Sequence, residues 1–285
     1  AMLTYPDIDP IAFSLGPLKV HWYGVMYLLA FLFVLFGGKY RARSRPQFGW
    51  KADEIDDLLL YGVLGVVLGG RIGYILFYGL DSFAEDPLRL LRIWEGGMSF
   101  HGGLLGVFVA MWLYGRRSNR GFFQVSDFVA PLVPPGLFAG RLANFINAEL
   151  WGGPTSLPLG MQVPCDRAAD LCQRVGSGAD AAMSVAVHPS QLYEAALEGL
   201  LLFVILWLFS SRQRPRMAVS GVFLLGYGLL RFAVEFVRMP DAHIGYLAGG
   251  WLTTGMLLTA PMILFGLLLL VLAYGNREKR HEAVS

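Results

Sequence analysis

The chain has 285 residues, 55% of them hydrophobic and 15% charged, with a formal net charge of +2. Soluble domains carry about 25% charged residues, and the mean hydropathy here is +0.51. These values exclude an ordinary soluble domain and predict an all-α polytopic membrane protein; no nucleic-acid partner is expected, and the net charge by itself says little, because what matters is where the charges sit.

Residues 2–19 lack the basic, short-apolar and small-residue pattern of a cleavable signal peptide. Seven apolar stretches follow, at roughly 20–38, 57–79, 97–114, 122–141, 189–209, 219–238 and 250–274. Each is long enough to cross a hydrocarbon core of about 30 Å at about 1.5 Å per residue. Span one begins beside His21, Trp22 and Tyr23. Span two reads GVLGVVLGGRIGYILFYG, and its glycines suit close helix approach. Span three opens within GGMSFHGG. Span four contains Pro131, Pro134 and Pro135, which remove backbone donors and predict a kink or break before GRLANFINAELWGG at 140–153. Gln191, Glu194 and Glu198 open span five, and Tyr227, Arg231, Glu235 and Arg238 close span six. No internal repeat and no linker is visible, so residues 1–285 are expected to form a single membrane domain.

Charge sets the orientation. Fourteen Lys and Arg residues fall after spans one, three and five and in the tail, and five fall on the opposite side. The bias places the N-terminus in the periplasm and the C-terminus in the cytoplasm. Trp22, Trp94, Trp151 and Trp251 then lie at the outer interface, and Trp50, Trp112 and Trp207 at the inner one. The longest loop, about 154–188, is extracytoplasmic and holds both cysteines, Cys165 and Cys172. In an oxidising compartment this spacing suits a local disulfide; the alternative is two free thiols.

With that orientation five spans bring polar groups to one depth, the outer leaflet. They are His21 and Tyr23 on span one, Arg71 on span two and His101 on span three. Arg141, Asn144 and Glu149 follow on and after span four, and Arg231, Glu235 and Arg238 on span six. At about 100° per residue the span-six residues form one stripe, and Arg141 and Asn144 share a face if the helix persists. Ionisable groups within spans cost at least ~2.5 kcal/mol each, so they face partners or a cavity. Singly, each has a structural reading: Arg231–Glu235 as an ion pair, Arg71 as a snorkelling side chain, His101 as a satisfied core histidine. Gln191, Glu194 and Glu198 either brace helices or belong to a site. Together, guanidiniums at one depth make a receptor for phosphate.

Other chemistries find no support. There is no HExxH, CxxC or P-loop, the histidines lack metal-ligand spacing, and no metal or cofactor is expected. A transporter or flippase for an outer-leaflet phospholipid could use the same arginines, but predicts inverted repeats and polar groups near the midplane.

GRLANFINAELWG occurs with HWYG at 21–24, GGRIGY at 69–74 and HGG at 101–103, followed by HPSQLYE at 188–194 and GYGLLRFAVEFVR at 226–238. In this order the stretches resemble bacterial phosphatidylglycerol–prolipoprotein diacylglyceryl transferases, from about residue 5 to the end of span seven. The resemblance implies an inner-membrane enzyme with a site facing the periplasmic leaflet. It would move diacylglycerol from phosphatidylglycerol to the lipobox cysteine of a prolipoprotein signal peptide, releasing glycerol phosphate. It puts Arg141 and Arg231 on the phosphate, His101 forward as the base for the thiol, and Tyr23 and Asn144 near the lipid headgroup. Tyr23 and attack without a dedicated base remain alternatives to His101. Glu149 is expected to hold an arginine or the glycerol hydroxyls, Glu235 and Arg238 to support Arg231, and Gly152 to permit a tight turn. At the start of span seven Met256 stands where the family pattern has glutamine.

Overall fold

The computed structural model describes residues 2–80, 83, 86–92, 97–178, 181–240, 245–247 and 249–282. Trp94 and His243 lie outside the described residues. The chain is mostly helical. Among the described residues five helices are long and apolar enough to cross a membrane. A sixth is added if the pair Phe122–Leu132 and Pro134–Ile146, bent by 46°, counts as one span. The remaining expected span is the 18-residue helix Phe100–Arg117, whose glycines, His101 and terminal arginines dilute its apolar character. The chain divides into two compact units, residues 34–129 and residues 1–33 with 130–285.

In the unit of residues 34–129, helices α2 (Glu54–Tyr78) and α3 (Phe100–Arg117) pack through glycine. A Cβ on Gly69 would overlap the Gly102 carbonyl, and one on Gly73 would stand 2.8 Å from Gly102 Cα. Only hydrogen side chains let the backbones come this close. The last turns of α1 (Trp22–Ser44) and the helix α4 (Phe122–Val129) also belong here. Lys39 pairs with Asp56 at 2.8 Å, and buried Arg41 lies over the Phe48 and Phe128 rings. The charged residues after span one thus prolong its helix past residue 38.

The other unit carries the GRLANFINAELWGG segment. The break expected at the prolines is present: the 3-10 turn Ala130–Leu132 precedes α5 (Pro134–Ile146). Pro134 and Pro135 occupy its first turn, where a missing N–H costs no helical hydrogen bond. Span five is also composite. Helix α7 (Ser190–Glu194) passes into a π-helical turn, Ala195–Leu201, and then α8 (Leu202–Phe209). Gly199 in the π turn lies against Phe138 of α5, with a Cβ there meeting Phe138 Cβ at 2.6 Å. α9 (Ala218–Glu235) and α10 (Thr254–Glu282) pack along their lengths. Leu202, Leu206 and Val219 form the buried core beside Ala130.

Outside the helices, β1 (Leu3–Thr4) pairs parallel with β4 (Met161–Gln162), while β2 (Ile11–Leu15) and β3 (Leu18–His21) form a hairpin leading into α1. Tyr5, Ala148, Trp151, Met161, Val163 and Val187 make a second core. Cys165 and Cys172 are joined in a disulfide across the start of α6 (Ala169–Arg174), which settles the choice left open by their spacing.

Candidate active site

α5 persists to Ile146, so Arg141 and Asn144 do share one face, with Arg141 Nη1 3.5 Å from Asn144 Oδ1. The chain then turns through Ala148 (φ 56°) and Leu150 (φ 59°), both left-handed. These two residues, and not Gly152, make the tight turn. Gly152 serves close packing: a Cβ there would overlap the Val237 carbonyl and stand 2.7 Å from His188 Cβ. Its N–H donates to His188 O at 2.8 Å, and it bridges Arg238 in antiparallel fashion.

The turn points Glu149 at span one rather than at an arginine. The Tyr23 hydroxyl donates to Glu149 Oε2 at 3.0 Å, and Asn144 Nδ2 donates both to that oxygen, at 3.3 Å, and to Tyr23 Oη. Tyr23, Asn144 and Glu149 are therefore one hydrogen-bonded triad. Span five holds the turn from behind, with Ser190 Oγ donating to Leu150 O at 2.8 Å and Gln191 Nε2 to Glu149 O at 3.0 Å.

Beside the triad three arginines converge on one carboxylate. Glu194 Oε2 lies 2.6 Å from Arg141 Nε, and Glu194 Oε1 lies 3.0 Å from Arg231 Nη1 and 2.7 Å from Arg238 Nη1. Arg231 Nη2 also pairs with Glu235 Oε1 at 2.6 Å, one helical turn on. α9 ends at Glu235, so Arg238 is not on the helical stripe that its spacing predicted. It reaches Glu194 from the extended segment paired with Gly152. Thr253 Oγ1 donates to Glu235 Oε2 at 2.8 Å. A Cβ on Gly255 would come within 2.6 Å of the Glu235 carboxylate oxygens. Met256 itself is buried, 1% exposed.

The exposure of these charges is lopsided. The side chains of Glu194 and Glu235 are 0% and 5% exposed, against 23%, 16% and 18% for Arg141, Arg231 and Arg238. The accessible face of the cluster is cationic although three carboxylates, Glu198 included, lie behind it. A cavity of about 280 Å³ opens beside Arg238, lined by Gly153, Arg174, Met239 and Tyr246. Such a face can hold a phosphate and stabilise negative charge that grows on it.

The remaining expected residues stand elsewhere. His21 ends β3, opposite Ile11. His101 is exposed in the first turn of α3, with the Phe100 ring at 5.6 Å. Arg71 is 2% exposed and donates to the carbonyls of Gly97 at 3.1 Å and Arg92 at 3.2 Å. Both His101 and Arg71 belong to the unit of residues 34–129.

The family profile described as prolipoprotein diacylglyceryl transferase matches residues 10–272. The chain belongs to the prolipoprotein diacylglyceryl transferase family. A relative in Solidesulfovibrio magneticus named phosphatidylglycerol–prolipoprotein diacylglyceryl transferase is 55% identical over 94% of this chain and 96% of its own. Similarly named proteins of Methylococcus capsulatus and Aromatoleum aromaticum are 55% and 57% identical, covering 97% and 94% of this chain and 100% and 97% of theirs.

Within this member of the diacylglyceryl transferase family, the motif residues Tyr23, Arg141, Asn144, Glu149, Arg231, Glu235 and Arg238 gather in one unit. Sequence reasoning did not settle Glu194 and passed over Thr253 and Gly255. The signal for Glu194 was present in the strip Gln191, Glu194, Glu198, whose apolar surroundings make a lone carboxylate costly without partners. Nothing in TTGMLLTAPM marks Thr253, because a hydroxyl at a helix start reads as an ordinary cap.

Proposed function

We propose that the chain transfers the diacylglyceryl group of phosphatidylglycerol to the lipobox cysteine of prolipoproteins, at the periplasmic leaflet of the bacterial inner membrane. Seven apolar stretches long enough to span support a seven-span chain, and the Lys and Arg bias between them supports an N-terminus in the periplasm. The observation that carries the reading is the cationic face made by Arg141, Arg231 and Arg238 over buried carboxylates.

The chemistry follows from the charges. The thiol sulfur attacks the glycerol carbon that bears the phosphate ester, an S–C bond forms and the C–O bond breaks. The electron pair of that bond stays on the phosphate oxygen, so negative charge rises on a group that is already anionic. Arg141 and Arg231 stabilise that rise in a site largely shielded from water. The thiol has a reference pKa near 8.5, so its proton must be taken up as sulfur attacks. His101 is the proposed acceptor, an imidazole being the commonest general base. Tyr23, Asn144 and Glu149 offer donors and an acceptor to the glycerol headgroup, and His21, Arg71 and Gly152 complete the proposed binding residues.

The test uses purified protein in detergent with phosphatidylglycerol and a lipobox peptide, following glycerol phosphate release and peptide mass. Release that requires the peptide cysteine and Arg141, with a diacylglyceryl gain in mass, is expected. Headgroup binding without product under any condition would overturn the reading.

A further inference from the structure

The geometry points to Glu194 as the positioning residue of the arginine cluster, an inference that rests on the proposed phosphate role of those arginines. Glu194 has no exposed side-chain surface, so it acts on a substrate only through the groups it touches. Those groups are three guanidiniums from three separate parts of the chain: Arg141 on α5, Arg231 on α9, and Arg238 on the segment bridged to Gly152. Three like charges brought together repel one another, and the repulsion is strongest away from water. One carboxylate shared among all three offsets it and sets where each planar fork points.

Glu194, and not its neighbour, has this role. Arg238 Nη1 donates a hydrogen bond to Glu194 Oε1 at 2.7 Å, while Arg141 Nε at 2.6 Å and Arg231 Nη1 at 3.0 Å are close ion pairs with the same carboxylate. Glu198 stands 4.0 Å from both Arg141 and Arg231, and its oxygens take no hydrogen bond from the described residues. Glu198 balances charge at a distance; Glu194 holds atoms in place. Its own position is held in turn. Glu194 is the last residue before the π turn, and Gly199 within that turn sits directly on Phe138 of α5, which fixes the spacing between Glu194 and Arg141. Single π turns recur at functional sites in helices.

Two variants test this: Glu194→Asp, which withdraws the carboxylate by one methylene, and Glu194→Gln with Arg238→Gln, which removes one charge of each sign. Wild type and variants are assayed in parallel, with KM determined separately for phosphatidylglycerol and for the lipobox peptide. A displacement of about 1 Å at a positioned group can cost about 100-fold. We expect a loss of about that size in kcat/KM for the lipid, with KM for the peptide unchanged within about twofold. The aspartate variant should retain more activity than the double variant. Wild-type kcat/KM for the lipid in either folded variant overturns the inference, as does a KM for the peptide raised well beyond twofold. Failure of both variants to unfold cooperatively overturns it too, since Glu194 would then be a folding residue. A wild-type protein that transfers nothing overturns the proposed function instead, whatever the variants do.

Discussion

Arg141 Nε lies 2.6 Å from Glu194 Oε2, the guanidinium partly exposed and the carboxylate wholly buried. The pair joins the helix after the proline break to the start of span five. It places positive charge in front and negative charge behind, and the same arrangement recurs at Arg231 and Arg238. A site that must receive an anion needs this order, because carboxylates at the front would repel the ligand.

Arg231 bridges two carboxylates, Glu194 through Nη1 and Glu235 through Nη2. A lysine is a point charge without a fork and cannot span both. Arg231→Lys is therefore expected to fold but to lose about 100-fold in transfer. Peptide mass gain under initial-rate conditions measures it, and near-normal turnover would show that the bridge is dispensable.

Gly152→Ala sets a methyl group against Val237 O and His188 Cβ. Both are in the segments that frame Arg238 and the start of span five, so the overlap must move one of them. The expected outcome is a loss of about 1–3 kcal/mol in stability together with failure of transfer. Gly153→Ala, whose nearest atom would be 4.0 Å away, should unfold within about 0.5 kcal/mol of wild type. Thermal unfolding of both in the same detergent makes the comparison.

The triad of Tyr23, Asn144 and Glu149 should act as a unit. Tyr23→Phe removes the donor to Glu149 at 3.0 Å, and a hydrogen bond to a charged group is worth about 1.5–3 kcal/mol. In a double-mutant cycle on kcat/KM with Glu149→Gln, we expect a coupling of about 1–2 kcal/mol. Strict additivity would mean that the two side chains serve separate ends.

The disulfide between Cys165 and Cys172 closes a short loop, with a sequence separation of 7. Chain-entropy arguments assign such a loop about 2–3 kcal/mol. Cys165→Ser with Cys172→Ser should lower the unfolding temperature by a corresponding amount. Transfer should continue below that temperature, because the ion pairs of the arginine cluster run to Glu194, Glu198 and Glu235 among the described residues and not to either cysteine.

His188, just before span five, is held below the usual histidine range by burial, with Nδ1 3.2 Å from the Tyr193 hydroxyl. The folded state thus favours the neutral ring. Its contribution to stability is complete above about pH 6.5, the unfolded value, and is lost as pH falls below that value and through the folded one. Unfolding followed from pH 7.5 to 5 should show less acid destabilisation in His188→Gln than in wild type. Equal slopes would remove His188 as the titrating group.

Much of this was legible in the sequence because a membrane constrains it so tightly. Apolar length marked the helices, the glycines of span two, Gly69 and Gly73 among them, marked it as suited to close approach without naming its partner, and Pro131 and Pro134 forecast the break before Arg141. The functional residues stood out because charge is rare in such a chain. Tyr227, Arg231 and Glu235 lie on one helix, so their shared face followed from helical geometry alone.

Partnership across elements was another matter. Spacing along one helix pairs Arg231 with Glu235 but says nothing of Glu194, 37 residues before Arg231 in sequence and the shared anion of the cluster. Glu149 turned to Tyr23 instead of an arginine, since the direction of a side chain after a turn depends on Ala148 and Leu150 adopting positive φ. Arg238 left its helix, and Gly152 proved to be a point of contact rather than a bend. Local sequence determined which segments are helices and which residues are charged among apolar neighbours, because burial and hydrogen-bonding demands in a membrane are settled residue by residue. Only the tertiary structure decided which opposite charges meet, because that depends on distances between elements set by contacts such as Gly199 on Phe138, which join helices that local sequence does not relate.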